Sequence, residues 1–155
     1  MRALLLAFFT LALASCMTAP APPSGPWLDF ATLQPGRSSN SALACAADIC
    51  PAAQISRPEF TFSASAERVA AALRSLEPNA QFNTEANGDI RVRYVAVTPL
   101  LRFRDDVDVL IRPVSGEQAR VAVFSRSRIG KSDLGANAAR IDALETRLRA
   151  ALRGV

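Results

Sequence analysis

No histidine occurs among these 155 residues, and tryptophan and tyrosine occur once each. Without histidine a Ser-His-Asp arrangement is excluded, and a common zinc ligand is missing. Cysteine is scarce too, with Cys16, Cys45 and Cys50 the complete set. The spacing of the last two is not Cys-x-x-Cys, and no second pair exists to close a zinc site. No metal and no cofactor is therefore expected. Charge of one sign is also in short supply: 18 basic against 14 acidic side chains leave +4. That mild excess is far from a nucleic-acid footprint, so no nucleic-acid partner is expected, although it favours approach to an anionic surface. There is no internal repeat.

What the chain does have begins at its N-terminus. Arg2 precedes the apolar run Ala3 to Ala14, and small residues lead into Cys16. This is the order of a secretory signal. The run is shorter than the roughly 20 residues needed to span a bilayer, which favours removal over a permanent helix. Leu13-Ala14-Ser15-Cys16 resembles the bacterial lipobox in all four positions. That resemblance implies diacylglycerol on the Cys16 thiol, cleavage just before it, and often an acyl group such as palmitate on the new amino terminus. Several acyl chains at about 0.8 kcal/mol per buried methylene make a stable anchor. Met17 follows the cysteine instead of Asp, which by the same resemblance favours the outer membrane. The expectation is an exported bacterial cell-envelope lipoprotein facing the periplasm, its membrane partner reached through lipid on Cys16.

Three parts follow: a signal peptide over 1–15, a tether and strap over 16–41, and a single domain over 42–155. Removing 1–15 leaves 140 residues with 17 basic and 14 acidic side chains. The Pro- and Ala-rich stretch Cys16 to Pro26 resists helix and sheet. Up to residue 58 the chain reads as an extended strap whose strong apolar anchors are Trp27, Leu28, Phe30 and Leu33. In an oxidising compartment Cys45 and Cys50 form an even pair, and a disulfide closing a small ring is expected; the alternative reading is a redox or metal pair.

From Glu59 the periodicities sharpen. Glu59 to Ser63 alternates as a short strand, and Ser65 can cap a helix carrying Val69, Leu73 and Leu76, which Pro78 stops. Gln81 to Ala86 and Asp89 to Thr98 form a hairpin across Asn87-Gly88. Val107 to Arg112 and Ala119 to Arg126 are two more strands, turning at Ser115-Gly116. Asp133 can cap a helix running to about Leu152, with Ile141, Leu144, Leu148 and Leu152 on its apolar face and Arg140, Glu145, Arg147 and Arg149 on the other. The expected class is α+β: an antiparallel β-meander with two helices packed on one face, the long helix C-terminal.

Three segments carry a resemblance. Arg102-Phe-Arg-Asp105-Asp106-Val107, then Ser125-Arg-Ser-Arg-Ile-Gly-Lys-Ser-Asp-Leu-Gly-Ala-Asn137, then Arg140-Ile141 are similar to the pattern of the domain of unknown function 1499 family. The resemblance covers roughly Ala42 to Leu152. It implies an exported envelope or plastid-type domain, and it implies no reaction.

The polar residues of those segments, Asp105, Asp106, Ser125, Arg126, Ser127, Arg128, Gly130, Lys131, Ser132, Asp133, Asn137 and Arg140, are the candidate ligand or partner site. A strand end leading into a helix is a context for anion capture. The segment also approaches the P-loop pattern, but Ser125 stands where that pattern needs a glycine. The structural alternative has Asp133 capping the last helix and Asp105 or Asp106 paired with Arg126 or Arg128. Adjacent Asp105 and Asp106 point to opposite faces of a strand and cannot share one acid-base task. Asp106 and Asp108 share a face and read as a solvated edge. No catalytic residue is assigned. A Ser-Lys dyad of Ser127 or Ser132 with Lys131 stays open as the basis of a hydrolase or transferase. The loop Thr98 to Arg104 interleaves Leu100, Leu101 and Phe103 with Arg102 and Arg104, and either returns apolar side chains to the core or meets a lipid surface or partner. The leading expectation is a non-catalytic domain binding an envelope protein or an anionic amphipathic ligand.

Overall fold

Val, Ile and Phe at alternate positions through the second half of the chain make a pleated surface that needs a cover, and the helices supply it. The computed structural model describes residues 23–34, 40–98 and 102–154. The segment read above as a signal peptide, Cys16 and residues 99–101 of the loop after Thr98 lie outside them. The elements in chain order are β1 (Ser41–Ala44), β2 (Phe60–Phe62), α1 (Ala66–Leu76), β3 (Gln81–Thr84), β4 (Ile90–Val97), β5 (Arg104–Ser115), β6 (Gln118–Ser127) and α2 (Ala136–Arg153). All strand pairs are antiparallel, in the order β1-β6-β5-β4-β3, with β2 also on β6. β1 takes Val123 to Arg126 of β6, and β2 takes Ala119 to Val121 of the same edge. The fold is α+β, with α2 the longer helix.

Helix α1 starts where expected: the Ser65 hydroxyl accepts from Arg68 N at 3.3 Å, and Val69 and Leu73 are buried. Gly88, at φ +87°, makes the β3–β4 hairpin possible, because that left-handed conformation costs glycine little. Val69, Leu73, Ile141, Leu144 and Leu148 pack on Val92, Val107, Val109, Ile111, Val121 and Val123 of one sheet face. β1 was not anticipated. Its four residues lie in the stretch read as strap, where too few residues stand in alternation to give a period-2 signal.

The opposite face is not open to solvent, as a one-sided helical cover would leave it. Phe30, Leu33, Leu43, Ile49 and the Cys45–Cys50 disulfide seal it against Leu110, Ala122 and Phe124. The strap from residue 23 to 34 runs over the same face. Trp27 lies 4.4 Å beneath the Arg93 guanidinium, Gly25 O accepts from Arg93 at 2.7 Å, and Leu28 O accepts from Arg91. β5 is therefore buried on both faces from Asp105 to Ile111. This corrects the solvated-edge reading of Asp106 and Asp108: each is only 8% exposed.

Candidate functional site

The candidate residues converge on one end of the sheet, where β4 turns into β5 and β6 runs into α2. Asp105 stands opposite Ser127 and Asp106 opposite Arg126 in the β5–β6 register. Strand alternation then divides the set in two, as the adjacency of the two aspartates requires.

Asp105, Ser125 and Ser127 face α2. Asp105 is 1% exposed and pairs with Arg140, which also donates to Ser125 Oγ at 2.9 Å and to Asn137 Oδ1 at 2.5 Å. The Ser125 hydroxyl donates to Asn137 Oδ1 at 2.7 Å. Asn137 Nδ2 donates to Ser127 Oγ at 3.1 Å and to Asn40 O at 2.8 Å. Asn40 O also accepts from Ser127 N, and Asn40 Nδ2 donates to Gly130 O at 2.8 Å. A closed network thus ties β5, β6, α2 and the entry to β1 together. Asp105 Oδ1 is the exception, buried without a hydrogen-bond partner. One expectation needs correcting. Arg140 does not sit on the polar outer face of α2 but turns inward, because the buried Asp105 carboxylate draws it there. Asp105 accordingly pairs with Arg140, and the aspartate–arginine pair expected between the strands is the one that Asp106 makes with Arg128.

Asp106 faces the strap side. Its Oδ1 accepts from Arg128 Nε at 2.9 Å and Nη2 at 2.7 Å, while Arg126 Nε stands off at 3.8 Å from Oδ2. Asp108, next on that face, is held up at about 6, chiefly by burial and further by Asp106, against the pull of Arg126, Arg93 and Arg91. Arg93, opposite Asp108 across the strands, spends its guanidinium on Gln81, Gly25 O and the Trp27 ring.

Asp133 caps α2 from two residues ahead of the N-cap position, Gly135. Its carboxylate accepts from Gly135 N at 3.0 Å and Asn137 N at 2.9 Å. Burial pushes its pKa up, but these backbone N–H groups and the Asn137 amide outweigh it and hold the carboxyl below its usual range. Gly130 (φ +90°) and Gly135 (φ +85°) turn the connecting loop. Lys131 and Ser132 are exposed on that loop, and Ser132 Oγ accepts from Leu134 N at 3.3 Å.

The candidate set therefore separates into an inward-facing framework of Asp105, Ser125, Ser127, Asp133, Asn137 and Arg140, the buried Asp106 on the strap side, and an outward rim of Arg126, Arg128, Gly130, Lys131 and Ser132. The reading from sequence missed two kinds of residue. Asn40 joins the framework from a segment whose composition gave no hint of it. Ile129 and Leu134, 61% and 97% exposed, project from the rim, and their apolar character inside a polar segment was the available signal. Among the described residues, no three His, Cys, Asp or Glu side chains form a group able to hold a metal ion.

The family described as "Protein of unknown function (DUF1499)" matches residues 32–148, and the chain belongs to it. No curated protein matches. Among solved structures, a START superfamily protein from Mycobacterium smegmatis is similar at 14% identity, covering 62% of this chain and 92% of that one, with a TM-score of 0.34. The di-domain ARO/CYC BexL from the BE-7585A biosynthetic pathway is similar at 16% identity over 61% of this chain and 42% of that one, with a TM-score of 0.27. Likeness at that level bears on neither fold nor function.

Proposed function

We propose that this chain is a non-catalytic bacterial envelope lipoprotein, anchored through Cys16, whose domain binds an anionic amphipathic ligand or partner at the rim of its β6–α2 loop. One observation carries the reading. Asp105, Ser125, Ser127, Asn137 and Arg140 bond to one another inside the protein, whereas the side chains exposed on the rim, Ser132 apart, are cationic or apolar. Internal bonding spends lone pairs and N–H groups on structure; an exposed mixture of Arg, Lys, Ile and Leu suits contact with something both negative and greasy.

The alternative is a serine-lysine hydrolase: Ser127 Oγ accepts from Asn137 and Ser132 Oγ from the Leu134 amide, and either hydroxyl keeps its own proton to give to a base. Two measurements test the proposal. Radiolabelled palmitate supplied to cells making the full precursor is expected to label it, and Cys16→Ser is expected to abolish both label and membrane fractionation; equal labelling of the two forms would end the anchor assignment. A fluorophosphonate probe is expected to leave the chain unmodified. Probe labelling that disappears in Ser127→Ala or Ser132→Ala would overturn the non-catalytic reading in favour of a hydrolase.

A further inference from the structure

Leu134 is 97% exposed at φ +52°, and Arg102, on the neighbouring loop, has φ +56°. A branched apolar side chain held in the left-handed region and directed into water bears two costs at once. The same end of the sheet exposes Ile129 at 61% and Phe103 at 43%. The loops bearing them are neighbours: Arg128 N donates to Arg104 O at 3.3 Å, and Val97 pairs with Arg104. On the same two loops and the strand ends that enter them, Arg102, Arg104, Arg126 and Lys131 are all exposed. The carboxylates of this end are turned away from solvent: Asp105 is held by Arg140, Asp106 by Arg128, and Asp133 by the first turn of α2.

We infer that this end of the domain docks on an anionic membrane surface, with Phe103, Ile129 and Leu134 entering the headgroup layer and the surrounding cations meeting lipid phosphates. Resting on the lipid-anchor reading above, the inference names the amphipathic partner as the bilayer that holds the anchor. The charge pattern favours anionic lipid, since each basic residue near such a surface strengthens binding by about fivefold. Apolar tips ringed by cations suit the boundary between headgroups and acyl chains.

The path of the strap points the same way. Leu28 O meets Arg91 and Gly25 O meets Arg93, so toward its N-terminus the chain advances along β4 in the direction of Val97, the end that carries the patch. Arg93 to Val97 is about 13 Å of strand. The seven steps from Pro23 back to Cys16 reach at most about 25 Å. Lipid on Cys16 and the exposed side chains can therefore meet one membrane plane together.

The test uses the full-length chain with Ser132→Cys carrying an environment-sensitive fluorophore, and as control Glu117→Cys in the β5–β6 turn at the far end of the sheet. Each is mixed with vesicles of phosphatidylcholine alone or containing phosphatidylglycerol and a bilayer-embedded quencher, whether or not palmitate has been incorporated. The expected result is a blue shift and quenching at 132 and not at 117, dependent on phosphatidylglycerol and weakened by salt. Ile129→Asp/Leu134→Asp is expected to reduce the quenching at 132 about tenfold, while near-ultraviolet circular dichroism confirms that the fold is retained. Equal behaviour of 132 and 117 on anionic vesicles overturns the docking surface. Palmitate incorporation, read on the same preparation, separately decides the anchor. Shielding of 132 in whole cells but not on vesicles overturns the membrane as occupant and assigns a protein instead.

Discussion

Replacing Arg140 by Met should be among the most damaging single changes on α2, although Arg140 lies on the helix face that a wheel assigns to solvent. Its guanidinium neutralises Asp105, a carboxylate 1% exposed whose Oδ1 already lacks a partner, and donates to Ser125 Oγ and Asn137 Oδ1. Methionine keeps most of the stem's packing and removes the charge, leaving a buried carboxylate with no counter-ion. Breaking a buried pair from one side costs about 3–5 kcal/mol. Loss from the other side should be milder: in Asp105→Leu, Arg140 retains Ser125 and Asn137, which points to about 1–3 kcal/mol. The double variant Asp105→Leu/Arg140→Met removes both charges and should be more stable than Arg140→Met alone, since apolar replacement of a buried pair is often close to neutral. Urea unfolding followed by circular dichroism reads all three. With a slope of about 2 kcal/mol per molar, Arg140→Met should lower the midpoint by about 1.5–2.5 M. A loss below about 1 kcal/mol in Arg140→Met, or a double variant less stable than that single one, would refute the claim that the pair is interdependent.

Asp108 provides a pH-dependent counterpart. Its folded pKa of about 6 lies above the ordinary 3.8, so the folded state binds the extra proton between those values; this site's stability contribution therefore falls as pH rises from about 4 to about 6 and is flat above. Asp108→Asn should stabilise the domain by about 1–2 kcal/mol at pH 7, discounting the full shift for residual solvent access, and by little at pH 4, as urea titrations across that range will show. Asp133 runs in the opposite sense. Its lowered pKa means stability present above the carboxylate range and lost on acidification, so Asp133→Ala should cost about 1–2 kcal/mol at pH 7, with the gap to the native chain narrowing toward pH 3. Removing the Cys45–Cys50 bridge as a double alanine variant should cost about 2 kcal/mol from loop entropy alone, plus the packing both buried sulfurs give to the Phe30 and Leu33 cluster, read as a lowered thermal midpoint.

The amino-acid order by itself determined the elements whose cause is local. Ser65 starts α1, Pro78 prevents its continuation, Asn87-Gly88 turns the β3–β4 hairpin, and the i, i+3, i+7 spacing of Ile141, Leu144 and Leu148 sets the buried stripe of α2. The α+β class followed from that order of periods. The Cys45–Cys50 bridge was legible for a similar reason, because a short ring needs little long-range information. The location of the candidate set at one sheet end was also legible, since its members cluster in two runs of sequence.

Tertiary structure alone decided which of them face inward and which outward. Ser125 and Arg126 are neighbours in the chain, yet one is sealed in a network with Asn137 and the other is open, because the pleat sends them to opposite sides of β6. Asp108 appeared as a solvated residue until the strap and the disulfide loop covered its face. Nothing local in Trp27, Phe30 or Leu33 says which surface they will cover. Asn40 enters the network from 97 residues before Asn137, and Arg140 abandons solvent for Asp105 across a gap of 35. Those placements depend on the free energy of burying one segment on another, a quantity that exists only once both have folded.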